Sequence, residues 1–139
     1  MADVLTLEVA TPLGLALKAE CTSVEAPSVA GQFGVLPNHL PLLAALKCGL
    51  LKYEVDGKEQ VAAVGPGFVS ASPDRVEILT DLFATPEDID VDQVREELIA
   101  AEEAVRKFPK LYEGPDFQEV QRNVDWAHAR IETAAESDK

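Results

Sequence analysis

Two histidines and two cysteines are the residues of this 139-residue chain best suited to chemistry. His39 stands between Pro37 and Pro41 in the stretch Gly31-Gln-Phe-Gly-Val-Leu-Pro-Asn-His-Leu-Pro-Leu-Leu43. His128 lies far along the chain. An imidazole serves as a general base or metal ligand only with partners at fixed spacing. No His, Cys or Asp set here has ligand spacing, and no nucleophile has a base beside it in the sequence. His39 therefore reads as a packing or contact residue. Cys21 and Cys48 also lack metal spacing and read as reduced, small core residues. No catalytic residue and no metal site is expected.

The stretch around His39 is shaped rather than reactive. Gly31 and Gly34 permit positive φ or close backbone approach. Pro37 and Pro41 each remove a donor and fix φ, which excludes the middle of a helix or of a central strand. The stretch is too apolar for an ordinary solvated loop, and it reads as a partly buried connection at the rim of a β structure, with His39 at its turn.

Composition bounds what must hold this stretch in place. Apolar residues make up 47% of the chain, enough for a core. The formal charge of −13 argues against nucleic acid and anionic lipid as partners. No long apolar run spans a membrane, and Met1-Ala-Asp-Val lacks the marks of a signal peptide, so a cytoplasmic location is expected.

The first part alternates with period two. Leu5, Leu7 and Val9 oppose Thr6 and Glu8, and Thr11-Pro-Leu-Gly14 turns the chain. Leu15, Leu17, Ala19 and Cys21 continue, and the phase slips at Thr22-Ser23, which predicts a bulge or a strand switch. Leu51, Tyr53 and Val55 lead to Asp56-Gly57, a hairpin turn signal, and Val61–Val64 returns. Short strands follow around Phe68–Ala71 and Val76–Thr80. Many short strands with frequent turns predict an antiparallel all-β sandwich over residues 1–84.

The second part changes period. Val91, Val94, Leu98, Ala101, Val105 and Phe108 form one helical stripe, and Phe117, Val120, Val124, Ala127, Ile131 and Ala134 form another. Asp90 and Asp116 are the expected caps. Pro109 and Gly114-Pro115 make a short connection. Residues 85–139 therefore read as an antiparallel α-helical hairpin, with helices about 91–108 and 117–135.

The loop motif, the length and this order of parts closely resemble the epsilon subunit of the bacterial and chloroplast F-type ATP synthase. Gly31, Gly34, Val35, Pro37, His39, Pro41, Leu42 and Leu43 fall on that family's loop pattern, and Asp88-Ile-Asp-Val91 opens the first helix in its style. The resemblance covers nearly the whole chain. It implies a non-enzymatic rotor and coupling subunit on the cytoplasmic side of the membrane. The sandwich would grip the gamma-subunit shaft and rest on the c-ring. The hairpin would fold against the sandwich or extend toward the catalytic alpha/beta head. Gly31, Gln32, Phe33 and Gly34, with His39, would form the rotor interface. Gln32 carries no charge where some relatives carry a carboxylate aimed at the ring.

The resemblance also raises nucleotide binding, because some relatives hold ATP weakly through (Ile/Leu)-Asp-x-x-Arg-Ala. Here Gln93 takes the arginine's place; a shifted alignment offers Asp92 and Arg95 but puts Glu96 where alanine belongs. No cofactor is expected. Arg122, His128 and Arg130 are the second helix's candidates for a regulatory contact with the head. From Glu87 to Lys139 there are 15 acidic and 7 basic residues, a net of −8, so this hairpin is expected to inhibit hydrolysis poorly. The competing readings are an adaptor whose hairpin binds an unrelated partner and a jelly-roll protein binding a small molecule. The latter would need polar inward strand faces, and these are Leu, Val, Ala and Cys.

Overall fold

The computed structural model describes residues 4–139. Ten strands precede two helices: β1 Leu5–Thr11, β2 Gly14–Cys21, β3 Ser23–Ser28, β4 Gly31–Val35, β5 Leu42–Leu46, β6 Gly49–Val55, β7 Lys58–Val64, β8 Gly67–Ser72, β9 Arg75–Thr80 and β10 Phe83–Ala84. A single 3-10 turn at Pro86–Asp88 leads to α1 Val91–Arg106 and α2 Pro115–Ser137.

The strands run in the order β10-β7-β6-β3-β5-β8-β9-β1-β2, with β4 on the free side of β3. A single residue pair, Ser28 with Leu46, joins β3 to β5. The sheet therefore folds there into two layers, β10-β7-β6-β3-β4 and β5-β8-β9-β1-β2. Alternation dictates what lies between them. Leu5, Leu7, Val9, Val24, Leu51, Val64, Val69, Val76 and Ile78 are all but fully buried in one core. The phase slip at Thr22 is a strand switch. β2 ends at Cys21 against β1 in one layer, and β3 starts at Ser23 against β6 in the other.

The predicted connection at Gly31–Leu43 is in its first half a strand. β4 pairs antiparallel with β3 from Val24–Val35 to Ser28–Gly31, closing a hairpin over Val29-Ala30. Period-two reading missed it because Gln32, Phe33 and Gly34 offer no clean alternation. Pro37 and Pro41 lie in the turn that follows, outside any ladder. The last strand, β10, pairs with β7 through only two residues and left no pattern in the sequence.

Asp90 caps α1 by accepting from the Gln93 amide at 3.2 Å. The helix stops at Arg106, two residues short of the expected 108. The second helix begins at Pro115 rather than 117 and runs to Ser137 rather than 135. Its cap is Gly114, not Asp116. Proline suits the first helical position because its missing N–H needs no partner there. Asp116 instead accepts the Tyr112 hydroxyl at 2.7 Å and the Phe117 amide at 3.0 Å.

The hairpin lies against the sandwich in layers: sheet, α2, α1. α2 packs on β6 and β7, and α1 packs on α2. The stripe Phe117-Val120-Val124-Ala127-Ile131 faces α1. The opposite face of α2, Trp126, Ala129 and Thr133, faces the sheet. Ala129 is buried with Ala63 and Ala84, and Cys48, Ile89 and Trp126 pack around them. Trp126, off the predicted stripe, is thus a contact with the sandwich. None of the described helices is long and apolar enough to cross a membrane.

Candidate functional site

The outer face of β5-β8-β9-β1-β2 carries a row of side chains that alternation does not require to be apolar. Strand register places Ala45 opposite Phe68, Phe68 opposite Leu79, Leu79 opposite Ala10 and Ala10 opposite Leu15. At the usual strand spacing the row crosses about 19 Å. Phe68, Leu79 and Leu15 are 58%, 57% and 58% exposed. Beside it, a shallow depression of about 440 Å³ is lined by Ala10, Pro12, Pro66, Phe68 and Leu79. Gly67 starts β8 at this end, and a Cβ there would strike the Leu79 carbonyl, so the two strands meet this closely only with glycine.

The next two rows on the same face are polar apart from Leu43, which is exposed at the β5 edge. Arg75 bridges Glu8 at 2.9 Å and Glu77 at 3.5 Å, and Thr6 donates to Glu20 at 3.1 Å. The apolar row is thus bounded on one side by charge, and exposed apolar area so bounded is a mark of an interaction surface.

The β3–β4 turn adjoins the row, since the Val29 amide donates to the Ala45 carbonyl at 3.0 Å. Gly31 supplies the turn with φ +123°. The Ser28 hydroxyl donates to the Gly31 carbonyl at 2.7 Å and accepts from the Ala30 amide at 3.1 Å. This holds Val29 out in solvent. Gln32 donates its side-chain amide to the Leu50 carbonyl at 3.1 Å, so its donor end is engaged within the fold. Phe33 packs partly against the core. Gly34 has no positive φ, and a Cβ there would make ordinary contact.

His39 sits at the other end of β4. The turn from Leu36 is closed by the His39 amide donating to the Leu36 carbonyl at 3.1 Å, and Asn38 takes φ +68°. The His39 ring meets the Leu40 carbonyl through Nδ1 at 2.6 Å. Gly31-Gln-Phe-Gly34 therefore runs along β4 from its first residue, while His39 lies beyond the end of the strand, and the five residues do not form one cluster.

The hairpin's expected residues are scattered. Asp92 and Arg95 are exposed, 3.9 Å from each other, and line none of the cavities described here. Arg122 and His128 are exposed. Arg130 is largely covered: it pairs with Glu97 of α1 at 3.0 Å and lies over the Trp126 ring, 5.2 Å from its centroid. A groove of about 490 Å³ between the helices includes Arg130, Trp126, Ala101 and Glu97. A nucleotide does not fit this donor set. The one arginine in the groove is already paired with a carboxylate, and that carboxylate opposes phosphate.

Both thiols are pushed up to about 11, chiefly by burial: Cys21 in the core, with Glu20 adding to the effect, and Cys48 beneath α2, with Asp125 adding and Arg122 opposing. At neutral pH both are protonated. Cys21 is the small core residue expected, whereas Cys48 lies outside the core, only partly buried at the margin of the contact between α2 and the sheet. No group of three or more His, Cys, Asp or Glu among the described residues could hold a metal ion.

The β-sandwich domain of the ATP synthase delta/epsilon chain matches residues 4–86. The chain belongs to this family. The ATP synthase epsilon chain of Desulfitobacterium hafniense (strain Y51) is 37% identical over 96% of this chain and 98% of its own length. That of Geotalea uraniireducens is 33% identical over 99% and 98%. Identity at this level, end to end, includes the helices as well as the sandwich. A chain of the Euglena gracilis mitochondrial ATP synthase, in a complex of OSCP, F1 and c-ring, shares the fold with a TM-score of 0.80 at 18% identity, over 97% of this chain and 83% of the other.

Period-two reading overlooked the apolar row, although the sequence carried its signal. Phe68-Val69, Ile78-Leu79, Leu15-Ala16-Leu17 and Leu42-Leu43-Ala44-Ala45-Leu46 are apolar at both parities. An antiparallel strand with a solvated outer face alternates. A strand that does not is covered on both faces, by its own fold or by a partner.

Proposed function

We propose that this epsilon-family chain is a non-catalytic rotor subunit that joins the gamma shaft to the c-ring of an F-type ATP synthase at the cytoplasmic face of the membrane. The apolar row Leu15-Ala10-Leu79-Phe68-Ala45 is the observation that carries this reading, because it is a surface built to be covered. It would grip the shaft, and the adjoining β3–β4 turn, with Val29 exposed and Gly31 and Gln32 behind it, would rest on the ring. His39 would support the loop through its turn. The filled core supports a structural part over a jelly-roll binding protein.

Regulation by the hairpin is weak in this reading. Of the three basic candidates in α2, Arg130 is engaged with Glu97, which leaves Arg122 and His128 on a strongly acidic hairpin. ATP binding through Asp92 and Arg95 plays no part, since nothing gathers them with other phosphate ligands.

The test is an affinity pull-down of the tagged full chain from its own cells, followed by an ATP hydrolysis assay. Recovery of a membrane ATPase with shaft and ring subunits is expected. Recovery of the chain alone, or with unrelated proteins, would overturn the assignment.

A further inference from the structure

A second cavity lies away from the apolar row, where the start of β7, the chain after β10 and the end of α2 meet. It measures about 520 Å³, and its lining includes Tyr53, Glu59, Val61, Pro86, Glu87 and Glu136. Strand pairing explains how these residues come together. Phe83 and Ala84 pair antiparallel with Val64 and Ala63, which directs Thr85–Glu87 along β7 toward its first residues. α2 packs on β6 and β7 and sets Glu136 over the same place.

Two of the three carboxylates already hold alkylammonium groups. Lys52 of β6 lies 3.9 Å from Glu59 and 3.7 Å from Glu136, and Lys139 meets Glu136 at 2.8 Å. The Lys139 side chain is 73% exposed, so charge rather than packing holds it at the cavity. Glu87 has no cationic partner among the described residues. The Tyr53 hydroxyl has no hydrogen-bond partner among them either, although the residue is only 9% exposed. No unpartnered side-chain oxygen among the described residues is closed off from solvent, so this hydroxyl opens outward where Tyr53 lines the cavity. Burial pushes the phenol up, with Cys21 and Glu87 adding to the effect, so it is protonated at neutral pH. Tyr53 also borders a depression beside Glu25 and Glu54, but only the larger cavity includes Glu87, whose field reaches the hydroxyl. A phenol this buried ordinarily finds a partner within the fold.

The chemistry of the lining selects the ligand. Carboxylates oppose an anion. No set of three is gathered closely enough to ligate one metal ion. Apolar Val61 and Pro86 share the lining with the carboxylates, which suits a molecule with ammonium groups set apart by methylenes. Lys139 already presents such a group to Glu136. We propose that this cavity binds a linear polyamine. One ammonium donates to the Glu87 carboxylate and the Tyr53 hydroxyl, the methylenes cover Val61 and Pro86, and a second ammonium takes the place of Lys139 at Glu136. The chain's charge of −13 draws such polycations toward it. The site lies apart from the apolar row, so it stands or falls independently of the rotor assignment.

The test is calorimetric titration of the full chain with spermidine at fixed ionic strength, with amide NMR spectra recorded along the titration. One saturable site is expected, with shifts grouped at residues 59–61, 85–87 and 136–139. Glu87→Gln should weaken binding about tenfold, as loss of one charge-assisted contact implies. Tyr53→Phe should weaken it several-fold with circular dichroism unchanged. Glu103→Gln, at an exposed carboxylate on α1 outside the cavity, should leave it as it is. Magnesium chloride at matched ionic strength should not displace the amine. Absence of saturable binding, or shifts spread over the acidic surface, would overturn the proposal. So would displacement by magnesium, or equal weakening by Glu103→Gln and Glu87→Gln.

Discussion

Single residues in this protein act mostly through space and solvation. Gly67 is the clearest case. Its replacement by alanine forces a Cβ into the Leu79 carbonyl, and backbone cannot give way as a side-chain tip can. Gly67→Ala should cost about 1–3 kcal/mol, the usual cost of overpacking, measured by urea denaturation. An unchanged midpoint would show that β8 and β9 can separate there without penalty. Gly34→Ala, at a position with room and ordinary φ, should cost far less. The two glycines of the loop motif thus differ: Gly31 is there for its conformation, while nothing in the fold of this chain alone requires Gly34.

The thiols give a pH prediction. Burial raises both from 9.0 to about 11, so the folded chain holds these protons more tightly than the unfolded chain. Their contribution is complete below pH 9. It is lost as pH rises toward 11, because the unfolded state ionises first. Stability should fall over that window, and Cys21→Ala should flatten part of the fall in urea midpoints taken across it. A profile unchanged by the substitution would contradict the assignment.

Elements were legible where one face is wet. β1, β6 and β9 follow their alternation, and α1 its stripe. α2 was half legible. Its stripe toward α1 is apolar and periodic, but its face toward the sheet is written in Ala129, Thr133 and Trp126 among charged neighbours, which period analysis counts as polar. β4 and β10 were illegible because a short strand with two glycines, or of two residues, has too few alternations to register. The alanines at the centre of the α2 contact make it testable. Ala129→Leu should overfill the space against Ala63 and Ala84 and cost about 1–3 kcal/mol. The cost should be confined to the hairpin, with the amides of β1 and β9 still protected from hydrogen exchange. Loss of protection throughout would mean that the hairpin and the sandwich fold as one unit.

At the scale of the molecule, a strongly acidic chain has one outer sheet face crossed by an apolar row. Its charge disfavours nucleic acid and anionic surfaces as partners, while the row offers a contact that needs no charge. The site was less legible than the fold. The loop motif led to the family but its residues are strung along β4 and the turn beyond it, and the row beside it emerged only when register placed Leu15, Leu79 and Phe68 side by side. The acidic hairpin leads to a further expectation: adding the full chain to an ATP synthase complex that lacks it should slow hydrolysis little. Strong inhibition that disappears on truncation after Ala84 would contradict this.

In the proposed function the apolar row grips the shaft. The most direct measurement is binding of purified gamma subunit to the full chain and to a Phe68→Glu, Leu79→Glu double variant. Both positions are more than half exposed, so the variant should fold normally, with circular dichroism unchanged and a urea midpoint close to the parent's. Binding should fall about a hundredfold or more, as burial of two unpaired carboxylates demands. A folded double variant that binds gamma as tightly as the parent would contradict the account.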